Sequence, residues 1–189
     1  MRRWLQRVTT ARSEAFRRGL ARGLPLFLIA LSVIGLDQLS KYLIRANMEM
    51  GQSIPREGPV GLHYTTNTGG AFGLFANQAF LLSMAAVIGI AVIVLYLRYL
   101  PPRSTLLKVG LGLDLGGAMG NLIDRFRLGE VTDFVKLGAW PVFNLADTAI
   151  VVGTFLIAFY LLFAARKSKH DKAGISEELK EDTNDIPSL

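Results

Sequence analysis

The sequence predicts an all-α membrane protein: four transmembrane helices, with a small β-sheet outside the membrane at its outer interface. Three observations carry that prediction. Of the 189 residues, 51% are hydrophobic and only 19% charged, an apolar balance beyond that of ordinary soluble domains. Two runs, Ala79 to Leu97 and Thr148 to Ala165, contain no charged residue at all, and about 20 such residues in a helix cross a ~30 Å hydrocarbon core. Third, basic residues concentrate in alternate connections. Helices are required because lipid offers no partner to unpaired backbone groups, and a soluble bundle would need a polar face that these runs lack.

Spans are expected at 24–44, 79–99, 105–125 and 144–165. The first begins with the apolar run Leu24 to Leu36, which Asp37 and Lys41 interrupt. In the third, Leu106 to Ile123 carries no charge apart from Lys108 and Asp114. Residues 1–23 hold seven arginines and one acid, Glu14. The connection near 98–108 holds Arg98, Arg103 and Lys108 without an acid, and Arg166, Lys167, Lys169 and Lys172 follow the last span. Positive segments stay in the cytoplasm, so both termini are expected inside, with 45–78 and 126–143 outside. The organisation expected is a basic segment at 1–23, a four-helix domain at 24–165, and a polar tail at 166–189. The tail is acid-rich and too poor in apolar residues to fold by itself. The first segment is not a signal peptide, since no small-residue cleavage signature precedes Asp37. Trp4, Leu5, Val8, Phe16 and Leu20 suit one face of a surface helix, though a loose basic anchor accounts for the charges equally well.

In the first outer loop, His63 to Thr66 suits a strand, followed by the punctuation of Gly69, Gly70 and Gly73. In the second, Glu130 to Val135 alternates with β-branched residues and suits a second strand of the same sheet. Phe72, Leu74, Phe75, Phe80 and Trp140 are apolar residues at the expected interface.

Polar groups inside spans are costly and usually functional, and here they gather at one level. Asp37 and Lys41 are i, i+4 near the outer end of the first span. Asn121, Asp124 and Arg125 close the third, Asn144 and Asp147 open the fourth, and Asn67 and Asp133 come from the outer loops. Gly116, Gly117 and Gly120 suit close helix packing. Each group also has a plain structural explanation: an ion pair for Asp37 and Lys41, a structural role for Asp124 beside Arg125, an N-cap for Asn144. Asp114 stands alone in mid-span, bonded if at all to a backbone or hydroxyl group, and His63 reads as a loop histidine.

The absence of cysteine removes disulfides, thiol nucleophiles and thiolate metal sites. Ser53 has no base assigned to it, Ser40 and Lys41 point to different faces, and no Gly-x-Ser-x-Gly elbow exists. The glycines at 69–73 are not followed by Gly-Lys-Ser/Thr, so they form no phosphate loop. No metal or other cofactor is expected. What remains is a pair of carboxyl groups sharing one proton, able to activate water and to protonate a leaving amine. Asp133, Asp147, Asp124 and Asp37 are all candidates, and their spacing alone does not choose among them.

Five blocks together carry a resemblance: Asp37-Gln38-Leu39-Ser40-Lys41, Asn67-Thr68-Gly69-Gly70-Ala71-Phe72, Gly116 through Arg125, Val131-Thr132-Asp133-Phe134 and Phe143-Asn144-Leu145-Ala146-Asp147. In order and spacing they resemble the lipoprotein signal peptidases (signal peptidase II), aspartic proteases of the bacterial membrane. The resemblance covers about 35–165 and makes 24–165 a peptidase domain. Ser40 and Gly70 depart from its usual threonine and alanine, Asp114 stands where the family is apolar, and the stretch between Asp133 and Asp147 is a few residues short.

The resemblance implies that Asp133 and Asp147 are catalytic, with Asp124 supporting. Asp37, Lys41, Asn67, Gly117, Asn121, Arg125 and Asn144 are expected to bind substrate or orient the pair. The implied substrate is a prolipoprotein carrying diacylglyceryl on its lipobox cysteine, cut on the N-terminal side of that cysteine. The expected setting is the bacterial inner membrane, as a monomer contacting lipid and no nucleic acid, with the site at the outer leaflet. Asp147 falls in the first turn of the fourth span, where the helix dipole favours negative charge, and is expected to be the initial base, with Asp133 the initial acid. The rival readings are a proton-coupled transporter, whose site belongs near the midplane, and a non-catalytic assembly factor.

Overall fold

The computed structural model describes residues 2–68, 79–99 and 104–163. Its elements are α1 (Arg2–Asn47), β1 (Ser53–Ile54), β2 (Val60–Asn67), α2 (Ala79–Tyr99), α3 (Thr105–Leu128), β3 (Val131–Leu137) and α4 (Leu145–Phe163). All four helices include a stretch long and apolar enough to cross a membrane.

The first helix differs from expectation in length: α1 runs unbroken from Arg2 through Pro25 to Asn47. Pro25 is tolerated there because a membrane helix can be re-satisfied locally around a missing N–H. The side chains of Trp4, Leu5, Val8, Phe16 and Leu20 lie outside the described residues, as do the glycine stretch 69–73, Phe72, Leu74, Phe75 and the tail 166–189.

The third span is the centre of the bundle. It is the most buried of the four, whereas none of α2's apolar window is buried. Glycines let α3 press against both neighbours, as small residues do where lipid supplies no hydrophobic drive between helices. A Cβ at Gly112 would meet Leu26 O at 2.9 Å, and one at Gly116 would meet Ala30 O at 2.8 Å, both on α1. A Cβ at Gly117 would collide with Ala146 O on α4. The sequence-expected packing role of these glycines thus divides between two helices. Leu26, Ala30, Leu107, Leu111 and Leu115 form the core, lined by Ile90, Ile93 and Ile157. Asp114 has the hydroxyl partner its position requires: Thr154 Oγ1 donates to it at 3.4 Å.

The sheet is antiparallel, in order β1-β2-β3. Both expected strands are present, and β1, too short to give a period-2 signal, is the strand the sequence did not reveal. α3 ends at Gly129, whose φ of 81° is the left-handed cap that glycine adopts without penalty. The chain thus reverses into β3. Phe134 packs on Ile44 and Met48, seating the sheet on the end of α1. That contact brings Asp133 to the same end of the bundle as the polar ends of α1, α3 and α4.

Candidate active site

Two tiers of polar side chains occupy that end. The inner tier is ionic. Lys41 is fully buried, and its three donors are all used: Asp37 Oδ2 at 2.9 Å, Asp124 Oδ2 at 3.2 Å and Asn121 Oδ1 at 2.9 Å. Asp37 also accepts the backbone N–H of Ala146 at 3.0 Å, tying α1 to α4. Asp124 accepts the backbone N–H of Thr132 at 3.1 Å, tying α3 to β3. Gln38 Nε2 donates to Asp124 Oδ1 at 3.0 Å and to Gly120 O at 3.1 Å. Arg45 Nη1 donates to Thr132 Oγ1 at 2.8 Å and lies 3.9 Å from Asp124 Oδ1. Two buried carboxylates thus face one buried lysine and one half-buried arginine, so the inner tier is close to neutral, as a low-dielectric interior demands.

The Asp37–Lys41 ion pair expected from the sequence is present, but it is fully buried. Asp124 does not pair with its neighbour Arg125. The two side chains diverge, Asp124 inward to Lys41 and Arg125 outward to a groove.

The outer tier is held by amides. Asn144 Nδ2 donates to Asp133 Oδ1 at 2.6 Å and to Asn121 Oδ1 at 3.1 Å. Asn67 Nδ2 donates to Asp133 Oδ2 at 3.0 Å. Asn121 Nδ2 donates to Asp147 Oδ1 at 2.7 Å. Asn144 is also the N-cap of α4: its Oδ1 accepts the Asp147 N–H at 2.9 Å, while its own N–H donates to Asp147 Oδ2 at 3.2 Å. This reciprocal pattern is a capping box. The N-cap expected of Asn144 is therefore present, and the same residue touches both outer-tier aspartates.

Asp133 and Asp147 line an open groove of about 1000 Å³, together with Asn67, Asn121 and Arg125, while Asp37 and Asp124 do not. One wall is polar, from His63, Thr65, Thr66 and Thr68; another is apolar, from Phe143, Ile150, Val151 and Val152. Burial, reinforced by the charge of Asp147, pushes the Asp133 carboxyl up to about 6, against the amides of Asn67 and Asn144 and the more distant Lys41. A carboxyl so placed keeps its proton to higher pH than an exposed one and is fitted to acid chemistry.

The sequence left Ser53 without a base, and here a correction is needed: its Oγ is 2.8 Å from His63 Nδ1 across the β1–β2 pair. Gln38, Arg45 and Thr132 are not among the site residues the sequence suggests. Arg45 continues the i, i+4 stripe of Asp37 and Lys41, a signal the sequence did contain. Thr132 and the Ala146 N–H act through backbone geometry that no spacing rule exposes.

A bundle of membrane-crossing helices that opens a carboxylate-lined groove at one end has the build of a membrane-embedded enzyme. Comparison with known proteins agrees. The family model described as signal peptidase (SPase) II matches residues 29–163. A lipoprotein signal peptidase of Moorella thermoacetica is 48% identical over 143 residues, covering 75% of this chain and 95% of that protein. Another, of Pelotomaculum thermopropionicum, is 46% identical over 144 residues, covering 76% and 95%. A bacterial membrane enzyme determined by the in meso method superposes with a TM-score of 0.70 at 29% identity, covering 75% of this chain and 89% of that one. The chain belongs to the signal peptidase II family, and is a multi-pass membrane peptidase.

Proposed function

We propose that the chain is an aspartic endopeptidase that removes the signal peptide from bacterial prolipoproteins. It acts after the lipobox cysteine has received diacylglyceryl and cuts on the N-terminal side of that cysteine. The observation that carries this reading is the division of four aspartates: only Asp133 and Asp147 open on the groove, and Asn144 bonds both.

Asp133 starts protonated and is the acid; Asp147 is the base. Asp147 takes a proton from the attacking water while Asp133 donates to the scissile carbonyl oxygen. Collapse of the tetrahedral intermediate then moves a proton to the leaving amine. Because the two titrate together, these roles describe the starting state of a pair. Arg125, on the same wall, has the charge and reach to hold substrate backbone carbonyls. Asn67, Asn121 and Asn144 fix the carboxyl orientations.

The enzyme sits in the inner membrane with both termini cytoplasmic and the groove at the outer leaflet, following the distribution of basic residues. A lipid-anchored substrate reaches such a groove from within the bilayer while water reaches it from outside. The working unit in this proposal is a monomer. The purified chain should convert a diacylglyceryl-modified precursor into a free signal peptide and a protein beginning with the lipidated cysteine. An intact precursor after prolonged incubation would contradict the proposal.

A further inference from the structure

Below Asp147, α4 carries a ridge at strict i, i+4 spacing: Val151, Phe155, Phe159 and Phe163. All four are exposed, between 43% and 68%. The phenylalanine rings form a ladder, with centroids 6.3 Å apart between Phe155 and Phe159 and 4.4 Å between Phe159 and Phe163. The ridge lies opposite the face that packs on α3, where Ala146, Ala149 and Gly153 are buried. It begins within the groove, since Val151 lines it beside Asp147.

Lipid contact alone does not call for such a ladder. The exposed mid-span large side chains of α2 are aliphatic: Val87, Ile88, Val92, Val94 and Leu95. No other described helix carries three aromatic residues in an i, i+4 ridge among its described side chains. Ridges of this spacing are what helices insert between the side-chain rows of a partner helix.

We propose that the ridge Val151–Phe155–Phe159–Phe163 is the track on which the apolar helix of the substrate's signal peptide docks. The inference rests on the prolipoprotein reading above and adds the surface that holds the part of the substrate remote from the cut. Length selects this occupant over the substrate's acyl chains. At 1.5 Å per residue the ridge reaches about 24 Å from Asp147. Acyl chains anchored at the groove end at mid-bilayer, about 15 Å deep, and so meet Val151 and Phe155 only. A helix crossing the whole membrane meets Phe159 and Phe163 as well.

The test uses Phe159→Ala and Phe163→Ala in the full-length chain, both remote from the reacting atoms. Two substrates are compared in the same bilayer: the complete lipid-modified precursor, and a lipid-modified peptide shortened so that it lacks the apolar helix. On the complete precursor each variant should raise KM about fivefold with kcat unchanged, the size of effect that helix packing in lipid supports. On the short peptide both variants should match the parent, and Val92→Ala on α2 should match it on both substrates. An unchanged KM in both phenylalanine variants, with the parent active, overturns the track alone. An equal KM rise on the short peptide overturns it too, because the effect then passes through the groove. A parent unable to cut either substrate overturns the function and the track with it.

Discussion

The inner and outer tiers each hold two carboxylates at the same end of the bundle, and treat them in opposite ways. Asp37 and Asp124 share Lys41 and accept backbone N–H groups from other elements. Among the described residues, the hydrogen bonds to Asp133 and Asp147 come from neutral N–H groups, the asparagine side chains and the Asn144 backbone, while Arg125 acts on both through its charge alone. Ion pairing fixes a carboxylate in its charged form and turns it into a clamp. Amide donors orient a carboxyl while leaving its proton free to move. The clamp joins α1, α3, α4 and β3; the oriented pair faces the groove.

This contrast is most severely tested by removing a charge from each tier. Asp133→Asn should lower turnover of the lipid-modified precursor about 10³-fold, while its thermal midpoint at pH 7 stays at or above the parent's. A fall in stability of the kind expected for an inner-tier change would break the contrast. Lys41→Met should do the reverse. It strands two buried carboxylates without their cation, a loss of about 3–5 kcal/mol, read as a lower midpoint or a failure to accumulate in membranes. An unaltered midpoint would show that the lysine is not the clamp.

Protons give the next largest effect. Asp133 is raised from 3.8 to about 6, so the folded chain binds more protons than the unfolded one between those values. Its contribution to stability is therefore greatest at low pH and declines as pH rises from about 4 to about 6. Turnover that requires the protonated acid should fall as pH climbs past about 6, in a profile of kcat against pH, and Asp133→Asn should make the stability slope between about pH 4 and 6 shallower. The smallest effect belongs to the residue shared by cap and site. Asn144→Ala should cost about 1 kcal/mol through the lost cap, with a loss of turnover well beyond what that destabilisation explains. Asn144→Ser, which retains a capping oxygen but not the amide, should recover stability without recovering turnover.

Much of this arrangement is legible in the residues themselves. The uncharged runs at 79–97 and 148–165 leave no alternative to membrane helices, and the polar residues at 37–41, 121–125, 133 and 144–147 mark one level. Choosing Asp133 and Asp147 from four aspartates required resemblance, because their spacing is no more suggestive than that of Asp37 and Asp124. Their partners separate the two pairs: Asp37 and Asp124 are consumed by Lys41, a property of α1 meeting α3 that local spacing does not encode. Asp124 and Arg125 are adjacent in the chain, and the sequence gives Asp124 a structural role without showing what it holds. On a helix neighbours point about 100° apart, and they serve different tiers. β1 escaped notice because two residues carry no periodicity. The second bond of Gln38 reaches Gly120 across the bundle, a separation of 82 positions that no local pattern encodes.

The central claim is that the groove-facing pair, and not the clamp beneath it, performs hydrolysis. Release of signal peptide from a diacylglyceryl-modified precursor by purified Asp147→Asn, measured beside the parent at matched thermal stability, tests it most directly. The account predicts a folded, membrane-inserted protein with turnover reduced about 10³-fold or more; turnover within a few-fold of the parent would contradict it.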